Sequence, residues 1–341
     1  MKLQIIIKIL LCLVLKYYCF EEDEHAINND GSFEIETFDE DVETFDILHE
    51  KDDEAIKDDI LQDYQNLDIG KRNFNSDVTL GYVTPWNNHG YDVAKWAAQK
   101  FTHISPVWFQ LKSGGGLAEN APLFCQITGT HDIDKGWMDD IRKNNSKTMI
   151  VPRFLFEAWP AEDLKQFLYM EEAQRRCVKD IIRLLQKNQM NGAVIEMWVQ
   201  IMSMTRGSAV DYLLEIVEFW SKEFHKAGLI FILPIMPALD ANFEETGIVN
   251  REIMGRLMSS VDYLNVMTYD YSSPQISGVA PYEWVKANLQ YFIDSSEESI
   301  GSTSKILMGL NFYGYDRSGG ASEAVLSKKF SKYYFLIIFK L

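Results

Sequence analysis

The chain has 341 residues, 47% of them hydrophobic and 24% charged, which is enough to bury a sizeable core. Its net charge of −17 is concentrated in residues 21–69, where 20 Asp and Glu face only Lys51 and Lys57. Residues 1–20 carry Lys2, Lys8 and Lys16 and no acids, so residues 70–341 are left near neutral at −2. A near-neutral body argues against nucleic acid as a partner.

In chain order, residues 1–20 read as a secretory signal peptide: a basic start, then an apolar stretch from Leu3 to Leu15 interrupted by Lys8. The stretch is short of the ~20 apolar residues of a membrane span, so no span is expected in the mature protein. Removing it takes Cys12 and Cys19 away, and Cys125 with Cys177 then allow one disulfide at most. Asn144, in the tripeptide Asn144-Asn145-Ser146, is a glycosylation acceptor consistent with a secretory route. The acidic stretch belongs to a segment, 21–76, whose self-repulsion and thin apolar content predict disorder, with a short helix over 58–67.

From about residue 77 short apolar runs alternate with amphipathic segments. Strands are expected over 78–86, 102–112, 148–159, 192–200, 229–239, 262–272 and 305–315. Helices are expected over 91–101, 132–144 (opened by Asp132), 160–188 (with Pro160 at its first position), 208–228 (closed by Gly228), 250–260 and 282–295. Continuous apolar strands covered by helices mean a parallel sheet. GYVTPWNNHG after the first strand lacks GxGxxG, so a dinucleotide fold loses to a TIM (β/α)8-type barrel. About seven βα units are visible, which leaves that barrel incomplete.

A parallel barrel carries its site at the C-terminal ends of its strands. Those ends hold Tyr82, Trp86, Trp108, Glu157, Trp159, Glu196, Trp198, Met236, Met267, Tyr269, Asp270 and Tyr313. Aromatic faces beside a few carboxylates suit a sugar, although any one of these aromatics could equally belong to the core. Within NGAVIEMWVQ (191–200), strand alternation puts Val194, Glu196 and Trp198 on one face. Glu196 would then point into the barrel, with Trp198 above it at the mouth. A Glu held in a polar network with no chemistry is the plain alternative. The six histidines show no metal-ligand spacing, and no cofactor motif was found.

NGAVIEMW, MTYD (267–270) and LNFYG (310–314), in that order, resemble the strand motifs of glycoside hydrolase family 18, the chitinases. GYVTPWNNHGYDVAKWAAQKFTHISPVWFQLK, HDIDKGWM, VPRFLFEAW and MTYDYSS look like a branch of secreted chitinase-like lectins within it, over residues 77–316. The resemblance implies a TIM barrel, an oligosaccharide ligand, a scavenger-type receptor as partner, and secreted or lysosomal residence. It also implies a degenerate catalytic motif. Asn191 and Val194 stand at the first and second Asp of DGxDxDxE, Glu196 at the third, and Trp198 at the general acid Glu. The family's mechanism is substrate-assisted; an indole offers only an N–H hydrogen bond in place of an acid's proton. VPRFLFEAW replaces the family's SxGG strand.

The tail 317–341 is atypical: its apolar end YYFLIIFKL has no Trp and no helix after it, and reads as truncation before an eighth strand. The expected function is therefore a non-hydrolytic oligosaccharide-binding protein. A weak glycosidase using Glu196 or Glu157 as its acid is the first alternative, and a receptor-interaction protein independent of sugar the second.

Overall fold

In the computed structural model, the residues described are 70, 77–114 without 87, 125–272, 277–297, 303–316 and 323–326. The expected signal peptide, acidic segment and helix 58–67, with most of the tail, lie outside them. The order is β1 (Leu80–Val83), α1 (Asn88–Trp96), β2 (His103–Pro106), β3 (Phe109–Lys112), β4 (Gln126–Thr128), α2 (Lys135–Asn144), β5 (Met149–Ile150) and β6 (Arg153–Phe156). There follow α3 (Ala161–Tyr169), α4 (Glu171–Lys187), β7 (Gly192–Glu196), α5 (Trp198–Thr205), α6 (Val210–Lys226), β8 (Ile230–Ile235) and α7 (Arg251–Ser260). The chain continues through β9 (Tyr263–Val266), α8 (Tyr282–Glu297), β10 (Ile306–Met308), β11 (Tyr313–Asp316) and β12 (Glu323–Leu326).

The strands form one curved, mainly parallel wall with helices outside. One part orders as β1-β2-β5 and the other as β10-β9-β8-β7-β6-β3-β4, in which only β4 runs antiparallel, against β3. β2 and β3 are one predicted run, 102–112, interrupted where the Trp108 amide donates to the Pro106 carbonyl at 3.1 Å. β5 and β6 are another, parted at Val151–Pro152, where proline has no N–H to give the ladder. Seven wall positions result, and among the described residues β1 and β10 each pair on one side only, so the barrel does not close there. The expected architecture, a TIM-barrel-type α/β fold that is incomplete, is what the wall shows.

Alternation sorts the side chains. Phe109, Leu111, Phe154, Phe156, Ala193, Ile195, Phe231, Leu233, Leu264 and Val266 face the helices and join one large core with residues such as Trp220 and Phe224. Val151, Val194 and Ile232 form a separate small cluster in the barrel's interior, with Leu80 and Tyr263 against it. Gly192 lets β7 and β8 close: a Cβ there would lie 2.3 Å from the Ile230 carbonyl oxygen. Cys125, just before β4, is bonded to Cys177 of α4 across 52 residues, with Cα atoms 5.5 Å apart.

Four expectations need correction. The helix 160–188 is two helices broken at Met170, because the Gln174 amide donates to the Phe167 and Leu168 carbonyls (2.9 and 3.0 Å) and so ends α3. α2 is opened not by Asp132 but by Asp134, whose carboxylate accepts from the Trp137 amide at 2.9 Å. The run 305–315 divides into β10, in the wall, and β11, which leaves it to pair antiparallel with β12. The strand 192–200 stops at Glu196. Trp198–Thr205 is helical, with the Ile201 amide on the Met197 carbonyl (3.0 Å) and a stop at Arg206 in the left-handed conformation before Gly207.

His103 lies at the base of the wall, 1% exposed, its Nδ1 2.8 Å from the Thr102 hydroxyl and its ring edge-on to Tyr263. Burial lowers its pKa from 6.5 to about 4, against the opposing pull of Asp262. The unfolded chain therefore takes up the proton first as pH falls. Stability from this residue is complete above pH ~6.5 and should fall by about 3 kcal/mol as pH drops towards ~4. Urea unfolding across that range checks this; His103→Gln should flatten that part of the profile.

Candidate functional site at the barrel mouth

The site starts from β7. Val194 points into the lower interior, so Glu196, two residues on, points the same way and nearer the C-terminal end. Its neighbour across the register is β6, where Arg153 pairs with Val194 and Leu155 with Glu196. Phe154 and Phe156 face the helices, so Arg153 must face inward, and its Nη1 lies 3.0 Å from Glu196 Oε2. Both side chains are largely enclosed, 21% and 16% exposed. The other carboxylate oxygen, Oε1, accepts from the Gln200 amide at 2.9 Å, one helical turn on at the start of α5. Both oxygens of Glu196 are thus occupied as acceptors, by a guanidinium and an amide.

Around this clamp stand two tyrosines. Tyr82 of β1 donates its hydroxyl to Asn265 Oδ1 of β9 at 2.6 Å, a bond across the interior. Part of its ring faces solvent, 40% exposed, yet Asn265 is buried. Its pKa is raised by burial of the hydroxyl, then by Tyr269 and Glu196, against Arg153. Tyr269 is pushed up to about 12 by burial, then by Glu196 and Asp270, against Arg153. Both phenols stay neutral across the physiological range and serve as hydrogen-bonding groups. Asp270, left-handed at φ 58°, accepts from the hydroxyls of Tyr313 (2.6 Å) and Tyr315 (2.9 Å). Burial first, then Asp270, raises the Tyr313 pKa.

Of the residues expected at the mouth, Tyr82, Glu196, Tyr269, Asp270 and Tyr313 are brought together. Met267 adjoins them, half-buried on the segment leaving β9, and Met236 is half-buried just past β8. Glu157 is half exposed beyond β6, 3.9 Å from Lys112. Trp86 is 75% exposed in the turn after β1.

Three tryptophans belong to the core instead. Trp108 is fully buried, donates to the Tyr91 hydroxyl at 2.8 Å and meets Trp137 edge-on. Trp159 donates to the Leu111 carbonyl at 2.7 Å and stacks on Phe156. Trp198 is fully buried in the same core because the chain has turned helical there, its indole N–H without a hydrogen-bond partner among the described residues. The face shared by Glu196 and Trp198 is therefore corrected: Glu196 faces inward, and Trp198 is not above it.

Asn191 lies at the opposite end of β7, where its side-chain oxygen accepts from the Ile150 amide at 2.9 Å. Asn144 is exposed at the end of α2, its amide on the Lys95 carbonyl at 2.8 Å. Sequence reasoning missed Arg153, Gln200, Asn265 and Tyr315. Arg153 carried a signal: in VPRFLFEAW the two phenylalanines at 154 and 156 fix the opposite parity for the arginine.

An incomplete parallel α/β barrel with tyrosines and one clamped carboxylate at the C-terminal ends of its strands belongs to the TIM-barrel class. The model of glycosyl hydrolases family 18 matches residues 78–335, well over half of the chain, and the chain belongs to that family. Solved structures agree at the level of fold. The chitinase of Chromobacterium violaceum is 18% identical with a TM-score of 0.58, covering 75% of each chain. A class V enzyme of Pseudomonas fluorescens is 17% identical, also at 0.58, over 75% of this chain and 74% of its own. A mutant class V chitinase of Nicotiana tobaccum, in complex with NAG4, is 15% identical at 0.53, over 70% and 67%.

Removing one partner of an enclosed ion pair leaves the other uncompensated. Arg153→Met should destabilise by roughly 3 kcal/mol, and adding Glu196→Leu should recover part of that loss, measured by urea midpoints of the singles and the double. Trp198→Ala should cost about 3–5 kcal/mol as a cavity in the core, measured by the same urea midpoints.

Proposed function

We propose that the chain is a chitinase-like carbohydrate-binding protein, in the branch of the stabilin-interacting chitinase-like lectins, that holds an N-acetylglucosamine-type oligosaccharide without cutting it. The observation that carries this reading is the clamp on Glu196. A general acid must present a proton to the leaving oxygen. Glu196 presents lone pairs already engaged by Arg153 and Gln200, and Trp198, at the sequence position of the acid, is buried in the core. Tyr82, Tyr269, Asp270 and Tyr313 remain as the hydroxyl- and ring-binding wall. NAG4 in the Nicotiana tobaccum relative is a ligand of the size and chemistry such a mouth would take.

A secreted or lysosomal residence belongs to the same proposal. Its supports are the apolar stretch of residues 3–15 and the Cys125–Cys177 disulfide, a bond of oxidising compartments. A scavenger-type receptor as partner rests on the lectin-branch resemblance alone. One observation favours a second reading, a weak glycosidase: Glu157 lies half exposed just beyond β6 at the mouth end of the wall, outside the Arg153 clamp and 3.9 Å from Lys112.

Calorimetric titration of an N-acetylglucosamine tetramer into the protein tests the proposal. Saturable 1:1 binding is expected, weakened at least tenfold by Tyr269→Ala. Absence of saturable binding at millimolar tetramer would overturn it.

A further inference from the structure

The chain enters β1 at the base of the wall, the end opposite the mouth. There the Thr79 hydroxyl donates to the Lys100 carbonyl at 2.8 Å, and the Asn145 side-chain amide donates to the Ala98 carbonyl at 3.0 Å. The Ile150 amide donates to the Asn191 side chain at 2.9 Å, and Arg142 donates to the Gln189 carbonyl. These bonds draw the entry at 77–79 and the stretches 95–103, 142–148 and 184–191 into one continuous face. The three stretches carry Lys95, Lys100, Arg142, Lys143, Lys147 and Lys187 and no acid, and the entry adds Asp77 alone, although residues 70–341 balance at −2. Lys95 and Arg142 reach back to Asp92 (3.1 Å) and Asp139 (3.6 Å). Lys143, Lys147 and Lys187 are exposed and make no ion pair among the described residues. The dipoles of α2 and α4 favour cations in their last turns. They explain neither Lys147, which stands past the end of α2, nor the lack of any acid across three stretches.

We propose that the chain's own acidic segment, residues 21–69, docks on this base face. Charge and reach both point to that occupant. The segment holds 20 Asp and Glu against Lys51 and Lys57, and it ends eight positions before Asp77, at the edge of the face. Eight residues span at most about 29 Å when extended. A tether of that length keeps the segment at an effective concentration on the order of millimolar over the lysines. A single exposed ion pair contributes little. Many acids held close to three unmatched lysines act together, and their attraction is screened by salt. The docked segment covers the base, withholds its lysines from other polyanions and leaves the mouth open. None of this depends on what the mouth binds.

The test is zero-length carbodiimide coupling of carboxylates to lysine amines in the full chain, read by mass spectrometry on an equal mixture of isotope-labelled and unlabelled protein. Peptides of 21–69 joined to Lys143, Lys147 or Lys187 of the same chain are expected about fivefold above those joined to Lys135 and Lys165. Those two are also exposed, at the start of α2 and on α3. The excess should vanish in about 0.5 M salt. Trypsin supplies a second reading, because Lys51 and Lys57 are its only sites within the segment. In the triple variant Lys143→Gln/Lys147→Gln/Lys187→Gln, which alters exposed side chains alone, cleavage there should run about threefold faster than in wild type at low salt and equally fast at about 0.5 M. Coupling no higher at the base than at Lys135 and Lys165, or equal cleavage of the two proteins at low salt, overturns the proposal. Coupling found only between a labelled and an unlabelled chain assigns the face to a second copy and overturns it too. So does a polyglutamate peptide that couples to the three lysines when the chain's own segment does not, since the face then belongs to a separate polyanion.

Discussion

The arrangement of the mouth depends on one ion pair between adjacent parallel strands. Arg153 on β6 and Glu196 on β7 meet because both strands alternate in phase, with phenylalanine or isoleucine neighbours turned to the helices and the charged residues turned inward. Neither charge would be tolerated alone in that enclosure. The pair, completed by Gln200 from the first turn of α5, gives a carboxylate that is an acceptor of hydrogen bonds in a neutral setting. Tyr82 and Tyr269 then stand in its field as neutral phenols, and Tyr82 ties β1 to β9 through Asn265.

That pair also sets what the mouth is able to do. A hydrolase of this family's substrate-assisted type needs a proton delivered to the leaving oxygen. On the proposed reading this chain lacks that donor: β7 ends at Glu196, and Trp198, at the sequence position of the acid, starts a helix and fills the core. What remains is suited to recognition: phenols, an amide, a clamped carboxylate, and a second carboxylate that organises a hairpin. Separating binding groups from proton donors in this way is how, as we propose, a catalytic scaffold becomes a holding one.

The wall and the inward direction of Glu196 were legible in the sequence because strand alternation is a local, period-two signal and the phenylalanines and isoleucines mark its outer face. The same signal failed two residues later. EMWVQIMSMT is apolar on every face, and short apolar runs fit strand or helix equally well. The turn at Met197 is decided by long-range packing of Trp198 rather than by any cap. For the same reason Trp108, Trp159 and Trp198 could be placed near strand ends but not assigned to core or mouth. Tyr315 was beyond reach because the departure of β11 from the wall follows from its pairing with β12, ten residues on. Arg153 could have been found by parity alone.

The most direct test of the central claim is turnover of a fluorogenic N-acetylglucosamine oligomer at high protein concentration, across pH 4 to 8. The account predicts no release above the protein-free rate at any pH. Release that is abolished by Glu196→Gln would contradict it, since it would show that the clamped carboxylate delivers a proton after all.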